Sequence, residues 1–332
     1  MYKITKSMIV TNTIRGWEVA EILTKHLLPY IHHELSSTPS HPMQQILKTA
    51  FLALDNDIIN PGPQILNSPV PFPTAAALLI PALSGSCALL SLFDPSSGTL
   101  HTACTGDSRA VLGILTPSGW ETHVLTEDQT AANASEVARL EREHPNEPEM
   151  IAGKRLHGIM VMRAFGDAGW KWAAAVQEEV RKRFNGRKAM KLASPPYLTA
   201  EPVVTSTTLE SGTKKVLIMG SDGLWDTMSS EQAVALVGKW LAWQAEGSPR
   251  DGVGQDAGEE EFGKYDMEKF RDSMWEFTEN RTALRDGNVA VHLIRNALGG
   301  RHVDMLRGSL VYKAPLARGV RDDITVQVVF FD

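Results

Sequence analysis

Residues 220–230 read GSDGLWDTMSS and follow the apolar segment VLIM at 216–219. The apolar segment predicts a short buried strand, and the Ser-Asp-Gly after it predicts a tight turn. Asp222 is therefore expected at the end of a strand. Gly223 either supplies conformational freedom to that turn or is an ordinary turn glycine.

Two more aspartates share this local design. Asp107 follows an apolar run and a glycine in TGDSRA (105–110), and Asp322 precedes the β-branched segment 324–331. An aspartate in a turn usually bonds nearby backbone amides, so each motif alone is ordinary turn chemistry. If the strand ends converge, the carboxylates form an oxygen-only site that suits Mg²⁺ or Mn²⁺ better than zinc. Two such ions about 4 Å apart would clamp a phosphoryl group for attack by water.

Hydrophobic spacing predicts the elements around these motifs. Apolar residues three and four apart predict helices over 17–35 and 43–58. Apolar runs between turn signals predict strands over 86–93, 100–105 and 110–115. The segment between these two groups, residues 61–73, is rich in proline and is expected to be a link.

Later segments predict more helices than strands. We expect helices over 134–143, with Asn133 as N-cap, and over 230–242, 266–278 and 287–298. Residues 245–262 are rich in Gly, Asp and Glu and predict a solvated insertion loop. Because helices and strands do not alternate regularly, the fold class is α+β rather than a doubly wound sheet.

The composition limits the possible functions. The chain has 332 residues, 43% of them hydrophobic, which fits one large domain with an insertion. A formal net charge of -6 argues against nucleic acid or an anionic membrane as the main partner. We expect no membrane span, because no run of about 18 apolar residues exists. Cys87 and Cys104 lie in apolar runs and are interpreted as buried small residues in a reducing compartment.

The ordered set of motifs resembles the metal-dependent type 2C (PPM-type) protein serine/threonine phosphatase family. The matching segments, which extend over 84–331, are SGSCALLSLF (84–93), TGDSRAVLG (105–113), LTEDQT (125–130), MRAFGD (162–167), GSDGLWDTMSS (220–230) and RDDITVQVV (321–329). Segments 133–145, 195–202 and 289–300, together with Trp170-Lys171-Trp172, are similar to the mitochondrial pyruvate dehydrogenase phosphatase branch.

The resemblance implies a fold and a metal chemistry. The expected architecture is a four-layer αββα sandwich of two antiparallel sheets flanked by helices. Two Mg²⁺ or Mn²⁺ ions would activate a water molecule that hydrolyses phosphoserine and phosphothreonine, with no phosphorylated residue on the enzyme. Asp222 and Asp322 match family metal ligands, and Asp107 and Asp226 match positions linked to an additional, weaker metal.

Two further motif residues are expected to support the site rather than to react. Arg163 and Asp167 match family positions in MRAFGD. We expect Arg163 to pair with a carboxylate and Asp167 to cap the turn before Trp170.

The resemblance breaks at the beginning of the sequence. The family's first metal motif is Asp-Gly-His, and its aspartate falls on Asn12 here, a neutral side chain that binds a hard dication more weakly than a carboxylate. Residues 1–14 are therefore interpreted as an unrelated or atypical segment, and the phosphatase domain is expected over 15–332, N-terminally incomplete. The chain is either a truncated form of an active enzyme or a genuine variant.

The leading hypothesis is a protein serine/threonine phosphatase of the pyruvate dehydrogenase phosphatase type. The alternative is a catalytically impaired pseudophosphatase that acts as a binding or regulatory module, and an unrelated metal hydrolase is a third reading. The resemblance implies a phosphorylated protein partner, with the E1α subunit of pyruvate dehydrogenase as the candidate, and a location in the mitochondrial matrix.

Overall fold

The computed structural model divides the chain into two compact units. One unit comprises residues 1–108 and 126–209, and the other comprises 109–125 and 210–332. The structure describes residues 6–67, 69–184, 186, 188–247, 264, 266, 276–313, 317 and 321–331.

The elements are numbered along the chain. The helices are α1 (Glu18–Ser37), α2 (Met43–Ile59), α3 (Pro61–Leu66), α4 (Phe72–Leu83), α5 (Ala134–Glu143), α6 (Ala174–Phe184), α7 (Asp222–Trp225), α8 (Ser230–Ala245), α9 (Val289–Leu298) and α10 (Val303–Val311). The strands are β1 (Lys6–Arg15), β2 (Gly85–Asp94), β3 (Thr99–Thr105), β4 (Arg109–Thr116), β5 (Gly119–Val124), β6 (Ile151–Ala152), β7 (Arg155–Leu156), β8 (Phe165–Gly166), β9 (Val203–Thr208), β10 (Lys215–Gly220) and β11 (Val326–Phe331).

The first unit is built on an antiparallel sheet covered by α1 and α2. Its strand order is β1-β2-β3-β9, with β8 paired to β2. Both helices present apolar residues at helical spacing, and Leu27 and Phe51 are among those that pack with Leu90 of β2. This packing buries the helix faces that the sequence pattern identifies.

The second unit contains a separate antiparallel sheet in the order β11-β10-β4-β5. Its core joins Val216 and Ile218 of β10 to Val234 of α8 and Leu293 of α9. Helix α8 comes so close to the sheet that a Cβ on Gly113 of β4 would lie 2.8 Å from Val234 Cγ1. The absence of a side chain at residue 113 is therefore what permits this packing.

Local signals explain where several helices begin. The Asn133 side chain accepts hydrogen bonds from the amides of Ser135 and Glu136, which satisfies two amides of the first turn of α5. Ser229 and Gln232 form a capping box at the start of α8. Gly299 follows α9 as its C-cap.

Most predicted elements are confirmed, including the α+β class with antiparallel sheets flanked by helices. The interpretation of 61–73 as a link is wrong, because α3 lies within it and α4 begins at Phe72. Proline is well tolerated in the first turn of a helix, where its missing N–H costs no hydrogen bond, and both helices have proline there. The predicted insertion loop over 245–262 and the predicted helix over 266–278 lie mostly outside the described residues. Where they are described, the predictions are wrong at Ala245, which is the last residue of α8, and at 276–278, which are not helical.

Residues 6–15 form a strand, β1. Strand β1 pairs with β2 in antiparallel register from Lys6↔Phe93 to Arg15↔Gly85, with one irregularity between Thr13 and Arg15. The domain boundary at residue 15 stays a prediction. Among the described helices, none has the length and apolar character needed to cross a membrane.

Gly113→Ala tests the close approach of α8. Because the new methyl group would meet Val234 and Val216 side chains below 3.0 Å, we expect a loss of about 1–3 kcal/mol in the free energy of unfolding. Gly308→Ala in α10 is the control, since a Cβ there meets nothing within 4 Å and alanine favours a helix. Urea denaturation would measure both, and equal effects of the two substitutions would contradict the packing argument.

Candidate metal centre

The second unit brings Asp222 and Asp322 to the same end of one strand pair. The final residue of β10, Gly220, pairs with the first residue of β11, Val326. Ser221 then fastens the two loops, since its Oγ donates to the Asp323 carbonyl oxygen at 2.7 Å and accepts from the Thr325 amide at 2.9 Å. Two carboxylates that are far apart in sequence thus flank one pair of bonded loops.

The structure leaves no room for a side chain at Gly223. Gly223 lies in the short helix α7, and a Cβ there would lie 2.7 Å from the Asp323 carbonyl oxygen. The sequence suggested conformational freedom at this glycine, whereas the structure shows that close contact with the 321–325 loop excludes a side chain.

Both carboxylates are half-buried and held by neighbouring amides. Asp222 Oδ1 accepts from the Gly223 amide at 2.8 Å, and Asp322 Oδ1 accepts from the Asp323 amide at 2.7 Å. Such bonds orient metal-ligating carboxylates in proteins. The donor chemistry fits Mg²⁺, which typically uses one or two carboxylates and fills its other positions with water and phosphate oxygens. Within the described ranges, no three His, Cys, Asp or Glu side chains form a group that could hold a metal ion by themselves.

Arg109 of β4 adds a cation at the same end of the sheet, since it is the register partner of Gly220. The Arg109 guanidinium lies 5.3 Å from the ring centroid of Trp225, whose indole donates to the Gly220 carbonyl oxygen at 2.9 Å. Asp226 is exposed, and its amide donates to the Asp222 carbonyl oxygen at 2.8 Å. Asp226 therefore faces solvent one helical turn after Asp222.

The first unit places Asp107 and Asn12 around a single residue of β2. Asn12 is the register partner of Cys87, and the Cys87 thiol donates to Asp107 Oδ1 with Sγ and Oδ1 3.2 Å apart. Asn12 and Asp107 are both buried, with 7% and 9% of their surface exposed. Asn12, where the family resemblance expects a carboxylate, and Asp107 are thus both neighbours of Cys87.

Gln129 holds the turn that carries Asp107. Its Oε1 accepts from the Gly106 amide at 2.6 Å, and its Nε2 donates to the Cys104 carbonyl oxygen at 2.9 Å. The Gln129 amide also donates to the Gly106 carbonyl oxygen at 3.0 Å. This buried side chain belongs to the LTEDQT motif, so one family motif fixes the geometry of another.

Arg163 pairs with a carboxylate, as expected from the sequence. Its Nη2 and Nε donate to Glu136 Oε1 at 2.6 and 3.0 Å, and its Nη1 donates to the Glu201 carbonyl oxygen at 2.6 Å. Burial works to raise the pKa of Glu136, but the hydrogen bond and charge of Arg163, followed by those of Arg139, outweigh it and lower the pKa. The pair links α5 to the MRAFGD segment and acts structurally.

Asp167 does not cap its turn through the side chain. It occupies the N-cap position before residues 168–170 with φ of 46°, and only its carbonyl oxygen accepts from the Trp170 amide. Its left-handed conformation directs the carboxylate away from the turn amides and towards Gly85. Asp167 therefore occupies the cap position before Trp170, as the sequence predicts, but it serves that position with its carbonyl oxygen and not with its carboxylate.

Sequence reasoning did not identify Ser221, Gln129 or Cys87 as residues of these sites. Ser221 and Gln129 lie inside motifs that carry the family resemblance, and for Ser221 its position next to Asp222 was the available signal. Cys87 was interpreted as a buried small residue; it is fully buried, yet its thiol also contacts Asp107. The contact between Cys87 and Asp107 could not be predicted, because the sequence of one strand does not determine which residues of another strand lie opposite it.

A family model described as protein phosphatase 2C matches residues 6–251. A protein phosphatase 2C homolog of Schizosaccharomyces pombe is 39% identical over 96% of this chain and 71% of its own length.

Two further relatives carry a more specific description. The mitochondrial pyruvate dehydrogenase phosphatase 1 of Saccharomyces cerevisiae is 34% identical over 94% of this chain and 59% of its own length. The human mitochondrial pyruvate dehydrogenase phosphatase 1 is 35% identical over 87% of this chain and 55% of its length. The chain thus spans little more than half the length of these two relatives.

The fold is also similar to a solved structure. A serine-threonine phosphatase 2C of Toxoplasma gondii has a TM-score of 0.54 and 17% identity, covering 98% of this chain and 84% of that chain. At this identity the likeness concerns the fold alone.

Glu136→Gln tests the buried ion pair. Removing the charge leaves Arg163 buried without its partner, so we expect a loss of about 3 kcal/mol in the free energy of unfolding near neutral pH. The folded-state pKa of Glu136 is lowered from 4.5. The wild type is therefore more stable than Glu136→Gln by the full amount above pH 4.5, and this difference in free energy of unfolding disappears as the pH falls through the folded-state pKa.

Thermal or urea unfolding between pH 7 and pH 3 would measure this difference. Glu143→Gln is the matched control, since that carboxylate also meets Arg139 but is exposed. A constant difference between wild type and Glu136→Gln across the acid range would contradict the assignment.

Proposed function

The chain belongs to the protein phosphatase 2C family, and on that premise we propose that it hydrolyses phosphoserine and phosphothreonine in protein substrates using divalent metal held by Asp222 and Asp322. Family membership supports metal-dependent protein phosphatase activity in this chain. The residue roles and the substrate are the specific content of the proposal.

One observation supports the residue roles most directly. Ser221 bonds the loop after β10 to the loop before β11, and the flanking aspartates are both half-buried with Oδ1 held by a backbone amide. A carboxylate fixed in this way needs little reorganisation on binding a cation, which favours affinity and geometry together.

The chain's own residues would bind and orient. Asp222 and Asp322 would hold Mg²⁺ or Mn²⁺ by carboxylate oxygens, and Asp107 would hold a weaker additional ion. Bound metal supplies a Lewis acid that activates water and neutralises charge on the phosphoryl group. Ser221 and Gly223 would keep the two loops at a fixed separation, so that the carboxylates stay aligned during turnover.

The relatives suggest a substrate class. Two of them are named as mitochondrial phosphatases of pyruvate dehydrogenase. We propose the phosphorylated E1α subunit of pyruvate dehydrogenase as the substrate and the mitochondrial matrix as the location. Phosphorylated E1α and an unrelated phosphoserine protein of similar charge would be compared at equal concentration, and equal kcat/KM values would reject this substrate assignment.

Asn12 favours a second candidate function. It is buried beside Cys87 at the position of the expected carboxylate, and a neutral amide contributes less to binding a hard dication. In this alternative the chain is an impaired phosphatase that binds a phosphoprotein without efficient turnover.

Asp222→Asn tests the leading proposal. We expect a fall of at least about 100-fold in Mn²⁺-dependent phosphate release from a phosphoserine peptide, because a charged ligand is replaced by a neutral one. Glu246→Gln is the control, since it removes an exposed carboxylate of the same unit and should leave activity unchanged. Activity in Asp222→Asn equal to wild type would reject the proposed role of Asp222.

Asn12→Asp separates the two candidate functions. If the wild type releases no phosphate at saturating Mn²⁺ while Asn12→Asp does, the chain is an impaired phosphatase with a degenerate position at residue 12. If the wild type is active and Asp222→Asn is not, the enzyme reading stands. Far-UV circular dichroism of each variant would verify that the fold is kept.

A further inference from the structure

Both cysteines of the chain contact one four-residue turn, residues 105–108. Cys87 reaches it from β2, with Sγ 3.2 Å from Asp107 Oδ1. Cys104 reaches it from the end of β3, with Sγ 3.2 Å from the Ser108 carbonyl oxygen and 3.7 Å from the Gly106 carbonyl oxygen. The chain has two cysteines in total, so all of its thiols are gathered at the turn that presents Asp107.

The turn is pressed directly onto Cys87. Gly106 has φ of +109°, and a Cβ there would lie 2.2 Å from Cys87 Sγ. Gln129 holds the same glycine through its amide and its carbonyl oxygen. The turn is therefore held through its backbone by Gln129 and through its carboxylate by Cys87.

The two sulfurs are placed to act as separate thiols. Leu89 is the register partner of Cys104, so Cys87 lies two residues away, at a diagonal position of the antiparallel pair. Diagonal neighbours are about 7–8 Å apart, whereas disulfides span Cα distances of about 4.4–6.8 Å. Both thiols are buried and neither is part of a disulfide, which fits a role as hydrogen-bond donors.

We propose that Cys87 is a positioning residue for Asp107: its thiol donates to the carboxylate and fixes the orientation in which Asp107 meets a divalent cation. This inference rests on the proposed function, because it takes Asp107 to be a metal ligand. Hydrogen bonds to ligating carboxylates set ligand orientation, and their loss typically weakens metal binding by about 10–100-fold. A thiol is a weak donor, so the effect belongs near the lower limit of that range.

Titration of the full chain with Mn²⁺ alone, followed by the electron paramagnetic resonance signal of free Mn²⁺, tests this role without requiring catalysis. The Mn²⁺ binding that wild type shows and Asp107→Asn lacks is the binding that depends on this carboxylate. We expect Cys87→Ala to weaken that binding about tenfold. Cys87→Ser retains a donor and should restore most of the affinity.

Ser91→Ala is the matched control. Ser91 lies on the same strand, is fully buried and loses a bond to Thr102 Oγ1 when it is substituted, but it does not contact the turn. We expect its Mn²⁺ affinity to equal that of wild type. Cys104→Ala removes bonds to the turn backbone rather than to the carboxylate, and we expect it to weaken binding less than Cys87→Ala does.

The outcomes distinguish the positioning role of Cys87 from the role of Asp107 as a metal ligand. If Asp107→Asn loses Mn²⁺ while Cys87→Ala and Cys104→Ala bind like Ser91→Ala, the positioning role is overturned and Asp107 remains a ligand. If Asp107→Asn binds Mn²⁺ like wild type, Asp107 is not a ligand and both ideas fail. If Cys87→Ala is too unstable to titrate, Cys87→Val, which refills the site without a donor, decides the question: weaker Mn²⁺ binding than in Cys87→Ser supports the positioning role, and equal binding overturns it.

Discussion

The antiparallel pairing of β10 with β11 is the constraint on which the candidate metal centre depends. Register from Lys215↔Phe331 to Gly220↔Val326 puts the end of one strand beside the beginning of the other. Ser221 then holds the loop after β10 against the loop before β11, because its Oγ donates to the Asp323 carbonyl oxygen and accepts from the Thr325 amide. Because β10 also pairs with β4, any shift of its register would move residues on both sides of it.

Charge is handled differently in the two units. The first unit buries a complete ion pair, Arg163 with Glu136, whose donors and acceptors are matched and whose role is to hold α5 against a loop. The second unit leaves Asp222 and Asp322 half-buried, and the Oδ1 of each accepts from the amide of the next residue. A buried, matched ion pair resists change, whereas half-buried carboxylates that are already oriented can bind a cation from solvent.

The sequence predicted the elements whose signals are local. Helix α5 begins where Asn133 predicts it, and the strands next to Asp107 and Asp222 lie where apolar runs predict them. It did not identify β9, whose segment VVTSTT is polar and partly exposed and forms through pairing with β3. The partners of Arg163 and Asp107 were not predictable either, because Glu136 and Cys87 acquire their roles from contacts across long sequence separations.

The distance along the chain between the two loop carboxylates has a consequence for biosynthesis. Asp322 follows Asp222 by 100 residues. At a synthesis rate of about 5–20 residues per second, β10 waits roughly 5–20 seconds for its second neighbour. During that interval one side of an entirely buried strand has no partner, which is the kind of surface that chaperones bind and that aggregates when left uncovered. Ribosome pausing within the intervening residues would lengthen this exposure and lower the yield of folded protein.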